Sequence, residues 1–123
     1  MPINGTYTPY DLERVNRAID YIHGHYTENI SADQLALEAD LSKQLLQSLM
    51  QVMTGLTVHH YVLKVRVDRA TDDLSDFRKP IKNVAATHGF SSHSHFSSWF
   101  KKETGLTPNE YRLQLLHKEK CLG

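Results

Sequence analysis

The sequence predicts an all-α fold: two helix-turn-helix subdomains joined by a long linker helix, about seven helices in all. Three observations predict it. Apolar residues recur at spacings of three and four along most of the chain, between Ser or Thr caps and Gly stops. The chain repeats itself at an offset of 50 residues. Finally, Val58 to Leu74 holds no Gly or Pro, so it reads as one continuous helix. These divide the chain into residues 1–57 (an N-terminal helix and the first helix-turn-helix), 58–74 (the linker helix) and 75–123 (the second helix-turn-helix and a C-terminal helix).

Residues 1–8 carry turn formers and no periodicity and read as a loose start. Thr8 can cap a helix with Pro9 in its first position and Asp11 in its first turn, where the helix dipole favours acids. Leu12, Val15, Ala18, Ile19, Ile22 and Tyr26 then mark one face, so Pro9 to Tyr26 is an amphipathic helix. Ser31 caps a short helix, Ala32 to Ala39, with Gln34 as a capping-box partner. Asp40-Leu41 makes the turn. Ser42 caps the next helix, Lys43 to Met53, whose apolar side is Leu45, Leu46, Leu49, Met50 and Met53, and Gly55 stops it.

The linker helix has Tyr61, Val62, Val65, Ala70 and Leu74 as its apolar points. Its 17 residues span roughly 25 Å at ~1.5 Å each. Pro80 then opens a helix with Ile81, Val84 and Ala85 as its apolar face, and Gly89 ends it in the left-handed region. Phe90 plugs the turn. Ser91 and Ser92 are both N-cap candidates for a helix with Phe96, Trp99 and Phe100 on its inner side. Gly105 stops that helix, and Thr107-Pro108 starts the last one, which runs to about Lys118 before fraying. At the offset of 50, Ala36 falls on Ala86, Ala39 on Gly89, Ser42 on Ser92, Leu46 on Phe96 and Met50 on Phe100. Thr54-Gly55-Leu56-Thr57 recurs as Thr104-Gly105-Leu106-Thr107, and Tyr61 as Tyr111.

Of the 123 residues 40% are hydrophobic, enough for a core, although each half alone would be marginal. No apolar run approaches the ~18 residues of a membrane span, and nothing at the start resembles a secretory signal. The single cysteine, Cys121, is a tail residue that staples nothing, which fits a reducing cytoplasm. Net charge is zero, with 14 Lys and Arg against 14 Asp and Glu. The first 55 residues are acidic and the second helix-turn-helix is the most basic stretch. His23 and His25, like His93 and His95, lie two apart and cannot share a helix face, so no metal pair is read there. No nucleophile stands with a base, no carboxylate pair sits in an apolar setting, and no glycine loop could cradle phosphate. An enzyme, a metal site and a cofactor are therefore not expected.

A short helix, a sharp turn and a second helix with one apolar and one polar face is the arrangement that enters a DNA major groove. On the first such helix the outward residues are Lys43, Gln44, Gln47, Ser48 and Gln51. Gln suits adenine N6 and N7, and Lys suits guanine or phosphate. On the second they are His93, Ser94, Ser97, Ser98 and Lys101, with Ser92 and His93 offering backbone N–H groups to phosphate. Lys102 and Arg112 read as phosphate or surface residues. A linker of ~25 Å suits two recognition helices held about one DNA turn apart, near 34 Å.

Gly89-Phe90, Phe96-Ser97, Phe100-Lys101-Lys102, Gly105, Pro108 and Tyr111-Arg112 resemble the C-terminal signature of the AraC/XylS transcription regulators. In the linker, Arg66, Ala70 and Leu74 fall where that family has its arginine, alanine and leucine. The resemblance spans roughly Val15 to Arg112. It implies a bacterial, seven-helix fold, asymmetric double-stranded promoter DNA as ligand, and contact with RNA polymerase. Many members carry a ligand-sensing domain ahead of this one, and the first eight residues look like an entry linker from such a domain. Both paired motifs lie in one chain, so a monomer is expected. The chain departs from the family at Ser48 and Ser98, where arginines are usual, and at Met50 and Gln51, where an aromatic and a lysine are usual. Those departures and the acidic first copy support one alternative, a degenerate helix-turn-helix module serving protein–protein interaction.

Overall fold

The computed structural model describes residues 7–122, with side chains as far as residue 117. Seven helices follow in order: α1 Pro9–His25, α2 Ala32–Ala39, α3 Lys43–Thr54, α4 Val58–Leu74, α5 Ile81–Thr87, α6 His93–Thr104 and α7 Pro108–Leu122. The described residues contain no strand. None of these helices is long and apolar enough to cross a membrane. The chain forms two compact units, residues 1–62 and 63–123, so their boundary falls inside α4.

In the first unit α1, α2 and α3 pack on one another. Val15, Ala18 and Ile22 of α1, Leu35, Ala36 and Ala39 of α2, and Leu46, Leu49 and Met50 of α3 are buried, as are Val58 and Val62 at the start of α4. Each helix starts on a side-chain cap. Thr8 Oγ1 accepts from the Asp11 N–H while the Asp11 carboxylate accepts from the Thr8 N–H, both at 3.1 Å. Ser31 and Ser42 accept from the N–H groups of Gln34 and Leu45. Leu12 and Met53, expected on apolar faces, are instead 41% and 42% exposed.

The second unit is built on one apolar cluster. Leu63, Val67, Ala70 and Leu74 of α4 meet Val84 and Ala85 of α5, Phe90 of the turn, and Phe96 and Phe100 of α6. Ile81, Trp99 and Tyr111 pack against its edge. Phe90, Phe96, Phe100 and Tyr111 form a chain of tilted and edge-on ring contacts at 5.0–5.5 Å. Such pairs contribute roughly 0.5–1.5 kcal/mol beyond the area they bury.

The repeated four-residue string builds the same joint twice. Thr54 Oγ1 donates to the Met50 carbonyl and Thr104 Oγ1 to the Phe100 carbonyl, both at 2.7 Å. The same hydroxyls accept from Leu56 and Leu106 N–H. Gly55 and Gly105 hold φ of 75° and 84°, where a Cβ would be strained. Thr57 and Thr107 then cap the helices that follow.

Before each turn, however, the register is 49 and not 50. The left-handed residues are Asp40 and Gly89. Leu41 N–H donates to the Ala36 carbonyl as Phe90 N–H donates to that of Ala85. Buried Leu35, Ala36 and Ala39 correspond to Val84, Ala85 and His88. The expected pairings of Ala36 with Ala86 and Ala39 with Gly89 are therefore each one residue out. The turn of the second copy holds one extra residue, Ser91, and a string match cannot see where within a loop an insertion falls. α7 also differs from expectation: it continues to Leu122, because nothing before Gly123 breaks a helix. The loose start expected for residues 1–8 falls mostly outside the described residues, as does the Cys121 side chain.

Candidate nucleic-acid interface

The outward face of α3 stands on the buried Leu46, Leu49 and Met50. Lys43, Gln44 and Gln51 are exposed, and Gln47 and Ser48 are half-buried. Lys43 and Gln51 are held within the protein. Lys43 Nζ lies 3.6 Å from Asp33 Oδ1 of α2. Gln51 Nε2 donates to the Gly55 carbonyl at 3.1 Å, which satisfies an orphan acceptor at the helix end. Gln44 and Gln47 are thus the carboxamides that α3 presents from its first two turns.

The face of α6 stands on Phe96 and Phe100. His93, Ser94, Ser98, Lys101 and Lys102 are exposed, and Ser97 is half-buried. Of the two cap candidates Ser92 is the cap, its Oγ accepting from the His95 N–H at 3.0 Å. The extended backbone at Ser92 turns the chain into the helix, and the first N–H groups of α6 have no intrahelical acceptor. Lys102 Nζ sits 4.7 Å from the centre of the Trp99 ring. A cation there is held by the ring quadrupole yet stays exposed.

Four of the histidines have partners within the fold. His95 lies 3.4 Å from Ser91 Oγ and meets the Phe90 ring edge-on. His25 bonds the Tyr21 carbonyl and stacks on its ring at 4.0 Å, while His23 reaches Tyr61 Oη at 3.0 Å. Buried His88 lies 2.6 Å from Asp73 Oδ2. A carboxylate can only accept there, so His88 Nε2 carries the proton. Hydrogen bonds from Lys79 first, and His88 second, hold the Asp73 carboxyl below its ordinary range. Among the described residues no group of three or more His, Cys, Asp or Glu could hold a metal ion.

Arg112 corrects an expectation. Its guanidinium is engaged within the fold and is not simply a surface group. It donates to the carbonyls of Leu74 at 2.9 Å, Asp76 at 3.0 Å and Lys79. That closes the C-terminal end of α4 and the loop after it. Lys82, exposed on α5, was not among the expected contacts. It stands out only in the 49-residue register, where it occupies the place of Asp33.

Residues 35–114 match the model of a helix-turn-helix domain family. The chain is 35% identical over 103 residues to the probable transcriptional regulator LumQ of Photobacterium leiognathi, covering 82% of this chain and 42% of LumQ. It spans less than half the length of the curated relatives it matches. Among solved structures it is similar to an AraC-type DNA-binding domain-containing regulator from Chromobacterium violaceum. There the TM-score is 0.78 and the identity 28%, over 87% of this chain and 96% of that one. The same fold, with a TM-score of 0.78 at 21% identity, is found in the DNA-binding domain of AdpA in complex with a target DNA, covering 85% of this chain and 95% of that one.

Proposed function

The chain belongs to the AraC/XylS family of helix-turn-helix proteins, and from that premise we propose that it is a sequence-specific DNA-binding transcription regulator that inserts α3 and α6 into successive major grooves of promoter DNA. The observation that carries this reading is the duplicated frame. Each copy backs an exposed polar helix face with buried apolar residues, starts that helix on a serine cap and stops it on a left-handed glycine. α4 runs unbroken from one copy toward the other. Gln44 and Gln47 suit adenine edges in one groove. His93, Ser94, Ser97 and Ser98 face the other groove with short side chains, which let the helix approach closely. Lys101 and Lys102 suit phosphate. RNA polymerase and a ligand-sensing domain in a longer chain are the partners this reading carries with it, and the cytoplasm is its compartment. The family is one of regulators, not enzymes.

The test is selection from random duplexes at low salt, then binding of the enriched site to the native chain, His93→Ala and Gln47→Ala. The expected site has two blocks about one helical turn apart, each weakened by one of the substitutions. One observation favours a second reading, protein docking through the first copy: Leu37 and Val52 are 82% and 64% exposed. A single enriched block, sensitive only to His93→Ala, would support that reading instead.

A further inference from the structure

The two compact units carry opposite charge. Residues 1–62 hold three Lys and Arg against seven Asp and Glu, a net of −4, and residues 63–123 hold eleven against seven, a net of +4. The difference is also local to the helix-turn-helix copies. In the 49-residue register, Asp33, Glu38 and Asp40 of the first copy stand where the second has Lys82, Thr87 and Gly89. On the recognition helices themselves, Gln51 and Val52 stand where the second copy has Lys101 and Lys102. The single cation of α3, Lys43, is 3.6 Å from the carboxylate of Asp33. α6 carries two cations, Lys101 and Lys102, and no acid in its first turn.

We propose that the two copies hold DNA unequally: the second supplies the phosphate anchorage, and Asp33 restrains the first by neutralising Lys43. This rests on the DNA-binding reading above. Phosphate contacts supply most of the affinity for a duplex, and each one made by a free cation steepens its salt dependence. A lysine already paired with a carboxylate brings that carboxylate toward the phosphate it would contact. With Asp33 Oδ1 3.6 Å from Lys43 Nζ, a phosphate bound by Lys43 would stand within the Debye length of about 10 Å of that carboxylate, and the two repel. The first helix then discriminates bases through Gln44 and Gln47 while adding little affinity. Asp33 becomes an affinity-limiting residue, and its counterpart Lys82 a phosphate contact.

The experiment measures fluorescence anisotropy of a labelled duplex, enriched from a random pool, across about 50–200 mM KCl, the range where phosphate contacts are resolved. The proteins are the full chain and its Asp33→Asn, Lys43→Gln, Asp33→Asn/Lys43→Gln and Lys82→Gln variants, each checked for helicity. Asp33→Asn is expected to tighten binding roughly threefold to tenfold and to steepen the slope of log affinity against log salt by about one. Lys43→Gln is expected to cost several-fold more in the Asp33→Asn background than in the native chain. Lys82→Gln is expected to weaken binding and flatten the slope by about one. Duplex binding in which Asp33→Asn leaves the slope unchanged, or Lys43→Gln costs the same in both backgrounds, overturns this inference alone. Folded proteins of which none binds at low salt overturn the DNA-binding reading, and this inference with it.

Discussion

Arg112 lies 38 positions from Leu74, yet it satisfies the carbonyls of Leu74, Asp76 and Lys79. An α-helix leaves its last carbonyls without intrahelical donors, and a planar guanidinium can serve several at once. Arg112→Ala is expected to cost about 2 kcal/mol of stability, since hydrogen bonds to charged groups are worth roughly 1.5–3 kcal/mol. It should shift the urea midpoint while leaving the salt slope of DNA binding unchanged; the reverse pattern would mark a phosphate contact. The side chain was visible in the sequence as one more arginine near the end of a basic stretch. Its role was not, because no local spacing links it to the end of α4. The candidate base-reading residues were legible for the opposite reason. Gln44, Gln47, His93, Ser94 and Ser98 face outward by helical spacing alone. Lys43 and Gln51 share that spacing, but only the fold shows that Asp33 and Gly55 hold them.

At the scale of elements, the helix starts were legible because caps are local chemistry. Thr8, Ser31, Ser42 and Thr107 each bond the N–H three residues on. The start of α6 was ambiguous between Ser91 and Ser92, and the structure decides for Ser92. Ser92→Ala is expected to cost about 1 kcal/mol and Ser91→Ala only a few tenths, as read by urea unfolding followed by circular dichroism. Equal costs would contradict the cap assignment. α4 was legible as a helix but not in its burial. Val58, Val62 and Val65 form one buried stripe, and Leu63, Val67, Ala70 and Leu74 another. A helix buried on two sides has no clean apolar face, so periodicity points to its length and not to its contacts. Leu63 and Val67 were missed for that reason.

At the scale of the whole molecule, one acid response belongs to the second unit. The carboxyls held below their ordinary range, Asp73, Asp76 and Glu110, all lie in the second unit. Of these only Asp73 is tied to a buried partner, His88. A carboxyl whose pKa is lower folded than unfolded stabilises the fold above its unfolded value, about 4. That stability is lost as pH falls through the lower folded value. The second unit should therefore lose stability below about pH 4, and Asp73→Asn should flatten that loss. Urea midpoints measured from pH 6 down to pH 3 would show it; a native-like slope in Asp73→Asn would assign the response elsewhere. The opposite net charges of the units are the basis of the unequal DNA binding proposed above.

The sequence by itself determined the seven helices, the caps of α1, α2, α3 and α7, the glycine stops of α3 and α6, the duplication, the family and the outward faces of α3 and α6. Each of these is encoded within about one helical turn or by direct repetition, so neighbouring residues suffice to read it. Only the tertiary structure decided the 49-residue register before each turn, the extra residue at Ser91, the double burial of α4, the closure by Arg112 and the pairing of Lys43 with Asp33. Those depend on which side chains meet across a turn or between helices, and no spacing along the chain specifies such a meeting.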